Sequence, residues 1–285
     1  MNDQAAMLRR EHASGAGGDV APEGGPDVTV VGSGKGGVGK STLAVMLASE
    51  LARRGRRTLL LDGSQNTGNL HILLGVRPPL SLRALLTGEA SAHDLLVPLG
   101  GHLSLLPADS GAEHLYGLTA VDRARIHHRL SAVYDGFDHV VVDGGPGLES
   151  AVRAAGIRAS RLVAVATPEP AALADVYALL KITSLQLPSV PLEVMVNTVT
   201  ADEEGQAVFD RLSLAAQRFL HRELGYLGCL AEDEGIRRCA RRPGALLEER
   251  RATIGAIAAR LDSATRQDAA NAVGPAGKPS RGQPT

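Results

Sequence analysis

The run Gly34-Lys35-Gly36-Gly37-Val38-Gly39-Lys40-Ser41-Thr42 carries the strongest chemical signal in the chain. Gly34, Gly39, Lys40 and Ser41 satisfy G-x-x-x-x-G-K-[ST], and they stand directly after an apolar, β-branched run and open a helical pattern. That context makes the spacing a phosphate-binding loop. Glycines let successive backbone N–H groups face one anion, and the helix N-terminus adds partial positive charge. Lys40 can reach the terminal phosphates of a nucleotide, and the Ser41 hydroxyl can join a Mg²⁺ shell. The bland alternative is a glycine-rich turn, but such a turn does not require a lysine between Gly39 and Ser41. Gly32, Gly34 and Gly37 also fit G-x-G-x-x-G, with Asp62 ending the next strand where a ribose-binding acid would sit, so a dinucleotide enzyme is the runner-up on pattern. The Lys40-Ser41 pair counts against it. So does Asp143, which follows a second apolar strand as a magnesium-organising acid should, although an aspartate there can also simply cap a turn.

The elements that must position these residues are those of a repeated βα pattern. Apolar runs at residues 28–31, 58–61, 102–106, 139–142, 162–166, 192–196 and 226–230 read as strands; residues 40–53, 121–133, 171–184, 204–223 and 253–261 read as helices. The expected fold is α/β: a doubly wound, mainly parallel sheet with helices on both faces. In such a sheet ligands sit outside the carboxyl ends of the strands. Residues 32–42, 62–69, 143–147, 167–170 and Asn197 all follow strands, which supports the assignment.

The 285-residue length and 44% apolar content suffice for one large core, but with three Phe, four Tyr and no Trp it must be built from Leu, Val, Ile and Ala. Residues 27–262 read as that domain. Residues 1–11 form a separate segment, 12–26 a Gly/Ala/Pro-rich linker and 263–285 a disordered tail. A net charge of −1 gives no whole-protein attraction to nucleic acid or anionic lipid. Cys229 and Cys239 make neither a disulfide framework nor a metal site, and no run approaches the ~20 apolar residues of a membrane span. A cytoplasmic location is expected. Arg237, Arg238, Arg241 and Arg242 cluster, but without interleaved aromatics they read as a solvated helix face rather than a nucleic-acid site.

With the extra Lys35, residues 34–42 resemble the deviant loop of the MinD/ParA family of P-loop ATPases. The further runs Thr167-Pro168-Glu169-Pro170, Asp175 to Lys181, Val196-Asn197, Phe219-Leu220 and Leu224 to Gly228 resemble its FlhG (FleN) branch of flagellar regulators, over about residues 27–262. The resemblance implies ATP and Mg²⁺ as cofactors and an ATP-dependent homodimer in which Lys35 reaches the partner's phosphates. It also implies Gly147 near the γ-phosphate, Asn197 on the adenine, and the Ala231-Glu232-Asp233 loop bordering the base. The segment Asp3-Gln4-Ala5-Ala6-Met7-Leu8-Arg9 resembles the one that engages an FlhF-like GTPase. On its residues alone it is a short helix candidate, with Asp3 at the cap and Met1, Ala5 and Leu8 on one face. By carry-over, Asp3, Gln4, Leu8 and Arg9 contact that partner.

This chain departs from the pattern where relatives carry Asp-x-Asp after the second strand, because here Asp62-Gly63-Ser64 lacks the second carboxylate, the one that positions the attacking water. Slow or absent hydrolysis is the expectation, since losing such a group typically costs on the order of 10²- to 10⁴-fold. The protein then becomes either a slow ATPase switch or a non-hydrolysing adaptor of the same fold; a division- or DNA-positioning ATPase of MinD or ParA type is the further alternative. Pro146 after Asp143 is a second departure and stiffens that segment. At the C-terminus, the stripe Ile254, Ile257, Ala258 and Leu261 reads as core-packing rather than membrane-binding, so membrane association is expected to be weak or absent.

Overall fold

The computed structural model describes residues 25–64, 68–80, 82–107, 129, 133–145 and 159–272. Eight strands form one sheet: β1 (Asp27–Gly32), β2 (Thr58–Asp62), β3 (Val97–Gly100), β4 (Leu103–Leu106), β5 (His139–Asp143), β6 (Arg161–Ala166), β7 (Leu192–Val199) and β8 (Gly225–Ala231), in the spatial order β3-β4-β2-β5-β1-β6-β7-β8. All neighbours are parallel except β3 with β4. The expected strands are all present. β3 escaped the sequence pattern because Val97-Pro98-Leu99-Gly100 carries a proline, tolerated here because the strand lies at the sheet edge.

The α-helices with both ends among the described residues are α1 (Lys40–Arg53), α2 (Leu70–Leu74), α3 (Leu82–Thr87), α4 (Pro170–Gln186), α5 (Asp202–Leu220), α6 (Glu234–Ala240) and α7 (Ala252–Ala272). The short α2, α3 and α6 have too few turns to show a period. The helix expected at 121–133 lies almost wholly outside the described residues.

Strand side chains alternate between two cores, as period-2 geometry requires. Val28, Val30, Val140, Val142, Leu162 and Ala164 face α4 and α5, meeting Val176, Leu179, Val208 and Leu212. Val31, Val141, Val163, Val165 and Met195 face α1 and α7, meeting Leu43, Leu47, Ile254 and Ile257. Burial on both faces explains why the central strands read as continuous Val/Leu runs.

The stripe Ile254, Ile257, Ala258 and Leu261 is fully buried in the second core, packed against α1. The helix that carries it does not end there: α7 continues to Ala272, so residues 263–272 are helical although the apolar pattern stops at Leu261. Their Ala, Arg and Gln content favours helix on propensity alone, and the first Gly and Pro come at 274 and 275. Among the described residues no helix is long and apolar enough to cross a membrane.

Candidate functional site: a phosphate loop with its acid

β1 lies at the centre of the sheet, between β5 and β6, where the strand order turns from one side to the other. A crevice at the carboxyl end of β1 follows from that topology. The loop Ser33–Gly39 fills its floor, and α1 leaves from it at Lys40.

The loop conformation is set by its glycines and a few specific bonds. Gly37 (φ 82°) and Gly39 (φ 91°) occupy left-handed backbone that other residues adopt only with strain. Gly34 is required for another reason: a Cβ there would lie 2.1 Å from the carbonyl oxygen of Asp175 on α4. The Ser33 hydroxyl donates to the Lys35 carbonyl at 2.6 Å, and the Asn197 Nδ2 donates to the Val38 carbonyl at 2.9 Å.

In-register pairing of Asp62 with Asp143, and of Val31 with Asp143, brings the ends of β1, β2 and β5 to one point. The Gly144 amide donates to the Val31 carbonyl at 2.8 Å, and the Gly63 amide to the Asp143 carbonyl at 2.9 Å, so the three strand exits are tied together. There the Ser41 hydroxyl donates to Asp143 Oδ2 at 2.5 Å, while Asp143 Oδ1 is buried with no hydrogen-bond partner. Burial pushes the Asp143 carboxyl above the usual carboxylate range, against the opposing pull of Ser41 and Lys40 and with the added push of Asp62. Burial likewise lowers the Lys40 ammonium, with Asp143 opposing. A buried lone pair beside a hydroxyl, both hard oxygen donors, fits a Mg²⁺ ion. Ser41 and Asp143 are the residues that would hold it, and the Lys40 ammonium, 7% exposed, lies close enough to interact with Asp143.

Gly36 faces open space, Val38 is buried, and Thr42 is half-buried on the first turn of α1. Lys35 is half-exposed, and its Nζ lies 3.4 Å from Glu169 Oε2. Asp62 is buried and structural in this conformation: Oδ1 accepts from the Ser64 amide and Oδ2 from the Leu70 amide, both at 3.1 Å, closing the loop between β2 and α2. Ser64 is buried beside it. Asn197 is tied to the loop by its bond to the Val38 carbonyl. Asp233 is engaged in two further structural roles. It caps α6 by accepting from the Gly235 and Ile236 amides, and it pairs with Arg251 at 2.6 Å, which holds its carboxyl below the usual range. Of the arginine cluster, Arg237 pairs with Glu232 and Glu234 on an α6 that buries no residue. Asp3, Gln4, Leu8, Arg9 and Gly147 lie outside the described residues.

Sequence reasoning missed the contacts that hold the loop from outside it, Asp175 under Gly34, Asn197 on Val38 and Glu169 on Lys35. Each spans more than a hundred residues of chain, and only the fold brings them together.

The family described as an AAA domain matches residues 27–188. The antiactivator FleN of Pseudomonas aeruginosa is 32% identical over 221 residues, covering 78% of this chain and 79% of that protein. The flagellum site-determining protein YlxH of Helicobacter pylori is 31% identical over 210 residues, covering 73% and 71%. Among solved structures, the septum site-determining protein MinD of Pyrococcus horikoshii, complexed with Mg-ADP, superposes with a TM-score of 0.68 at 21% identity, over 85% of this chain and 98% of that one. Carrying the lysine-bearing loop, the Ser41–Asp143 pair and the central β1, the chain belongs to the MinD/ParA family of P-loop ATPases, in the branch that holds FleN and YlxH.

Proposed function

We propose that this protein is an ATP-binding switch that regulates flagellar number or placement, and that it does so through an FlhF-like GTPase. The observation that carries the nucleotide reading is the buried Ser41–Asp143 pair with one carboxylate oxygen unpartnered, under a loop whose glycines leave backbone N–H groups free to turn toward an anion. On this reading the 34–42 amides and Lys40 bind the phosphates, Gly147 approaches the γ-phosphate, and Asn197 and the Asp233 loop border the base. Mg²⁺ would be held by Ser41 and Asp143 and would offset the phosphate charge. Lys35 reaches across an ATP-dependent homodimer, which requires it to leave Glu169. A pair this exposed contributes at most about 1 kcal/mol, so that release is easy.

Ser64 favours slow turnover. A hydroxyl can hydrogen-bond water but cannot take its proton at neutral pH, and the neighbouring Asp62 carboxylate is occupied by two backbone amides. That same observation favours a second reading, a non-hydrolysing adaptor of the same fold. The two are separated by single-turnover hydrolysis with Mg-ATP: measurable turnover that falls in Lys35→Ala supports the switch, and none above the protein-free rate supports the adaptor.

The flagellar reading draws on the YlxH relative, whose name makes it a flagellum site-determining protein, and on the resemblance to the FlhG (FleN) branch that the antiactivator FleN represents. Residues 1–11 supply the contact with the GTPase in this proposal, and the cytoplasm is its setting. A peptide of residues 1 to 15 added to the organism's FlhF-like GTPase tests it; stimulation of GTP hydrolysis is expected, and no stimulation removes this role. The buried Ile254 to Leu261 stripe argues against a membrane-targeting helix there, and the ion-paired Arg237 against a dedicated nucleic-acid face.

A further inference from the structure

The end of β7 contains the most unusual backbone in the described chain. Thr198 is β-branched yet sits at φ 57°, and among the described residues only His221, at the end of α5, is the other non-glycine in left-handed backbone. A β-branched residue there is a genuine outlier, held only when its surroundings over-determine it. They do so here. The Thr198 hydroxyl donates to the Asn197 carbonyl at 2.7 Å, and the β7–β8 register slips between Asn197 and Val199. Beyond the slip, Val199 pairs with Ala231 and its carbonyl accepts from the Glu232 amide at 2.9 Å. The bulge re-aims the side chain before it, as bulges next to functional sites do.

That side chain is Asn197, and it points under the phosphate loop. Its Nδ2 donates to the Val38 carbonyl at 2.9 Å, and a Cβ on Gly39 would lie only 2.4 Å from the same nitrogen. Val38 C=O and Gly39 N–H belong to one rigid peptide plane, so fixing the carbonyl fixes where the amide points. Gly39 is the last residue before α1, so its N–H is one of the donors the loop offers to phosphate.

We propose that the Asn197–Thr198 bulge is a brace for the phosphate loop and that Asn197 is a positioning residue for the phosphates, independent of any contact with the base. The inference rests on the reading that this loop binds ATP. It makes the bulge at the β7–β8 edge, through Asn197, part of the phosphate site on β1. Asn197 thus affects ligands that have no base.

Inorganic tripolyphosphate separates this role from base recognition, because it presents the phosphates alone. Its affinity and that of ATP are measured with Mg²⁺ on the full chain, with thermal unfolding of each variant as a folding control. Asn197→Ala is expected to weaken tripolyphosphate about three- to tenfold, the effect of losing one net hydrogen bond, and ATP by at least that factor. Where truncation costs the fold, Asn197→Leu keeps the volume and removes the donor, with the same expected loss. Thr198→Gly, which adopts the left-handed conformation without strain, is expected to bind tripolyphosphate within about twofold of the wild type. Weakened ATP with unchanged tripolyphosphate in the Asn197 variants overturns the brace and leaves a base reader. A loss in Thr198→Gly overturns the part assigned to the bulge. A wild-type chain that binds neither ligand refutes the ATP reading itself, a result distinct from both.

Discussion

Substituting Gly34 by alanine adds one methyl group at the point where the phosphate loop rests on α4. That carbon would sit 2.1 Å from the Asp175 carbonyl oxygen, 2.3 Å from its carbonyl carbon and 2.6 Å from its Cβ. The first two are backbone atoms within a helix and the Cβ is fixed to that backbone, so no rotamer change relieves the contact; loop or helix must move. Overpacking of this kind costs about 1–3 kcal/mol. For a chain of this length each kcal/mol lowers the unfolding midpoint by about 2–4 °C, so a drop of about 2–12 °C is expected. Gly36→Ala is the matched control. It lies two residues on in the same loop, has nothing within 4 Å of its added carbon and does not occupy left-handed backbone, so its midpoint should stay within about 1 °C of the wild type. Scanning fluorimetry on the ligand-free proteins reads both. Equal midpoints for the two variants would refute the reasoning that α4 backbone, rather than nucleotide contact alone, demands glycine at position 34.

Other outcomes follow from the buried charges and the missing carboxylate. Asp143→Asn removes a carboxylate whose pKa burial raises, a group that stabilises the fold less as pH rises from 3.8 through its folded value; the variant should therefore melt higher than wild type at neutral pH without ligand, yet lose the Mg²⁺ dependence of ATP binding by titration calorimetry. His139 is buried at the start of β5 near Asp27, Asp262, Arg56 and Asp138, and burial outweighs the acids to hold its imidazole below 6.5. The folded state therefore loses stability as pH falls from 6.5 toward that lowered value, and His139→Gln should flatten the midpoint difference between about pH 7.5 and about pH 5. Ser64→Asp restores the carboxylate beside Asp62 and should speed single-turnover hydrolysis at least tenfold, toward the ~10²- to 10⁴-fold contribution of such a group; no gain would show that Ser64 does not limit turnover.

Much of the fold was legible because both faces of the central sheet are covered, so its strands are unbroken Val and Leu runs that no helix period imitates. The loop was legible for the same reason its chemistry works: Gly37 and Gly39 must accept positive φ, and Lys40-Ser41 must follow them. β3 was not, since Pro98 and Gly100 erase the alternation on an edge strand, nor was the helical stretch after Leu261, whose Ala-rich turns carry no apolar face. At the site, residue type singles out Ser41 and Asp143, which the structure brings within hydrogen-bond reach; that the carboxylates of Asp62 and Asp233 accept from backbone amides is visible only in the fold. Asn197, an adenine contact by the family resemblance, also donates to the loop, a pairing across 159 residues that no local pattern encodes.

Titration calorimetry of the full chain with ATP, in the presence and absence of Mg²⁺ and alongside Lys40→Ala, tests the central claim most directly. The account predicts saturable ATP binding that tightens with Mg²⁺ and is lost in the variant. Binding that is absent in the wild type, or unchanged when Lys40 is removed, would contradict it.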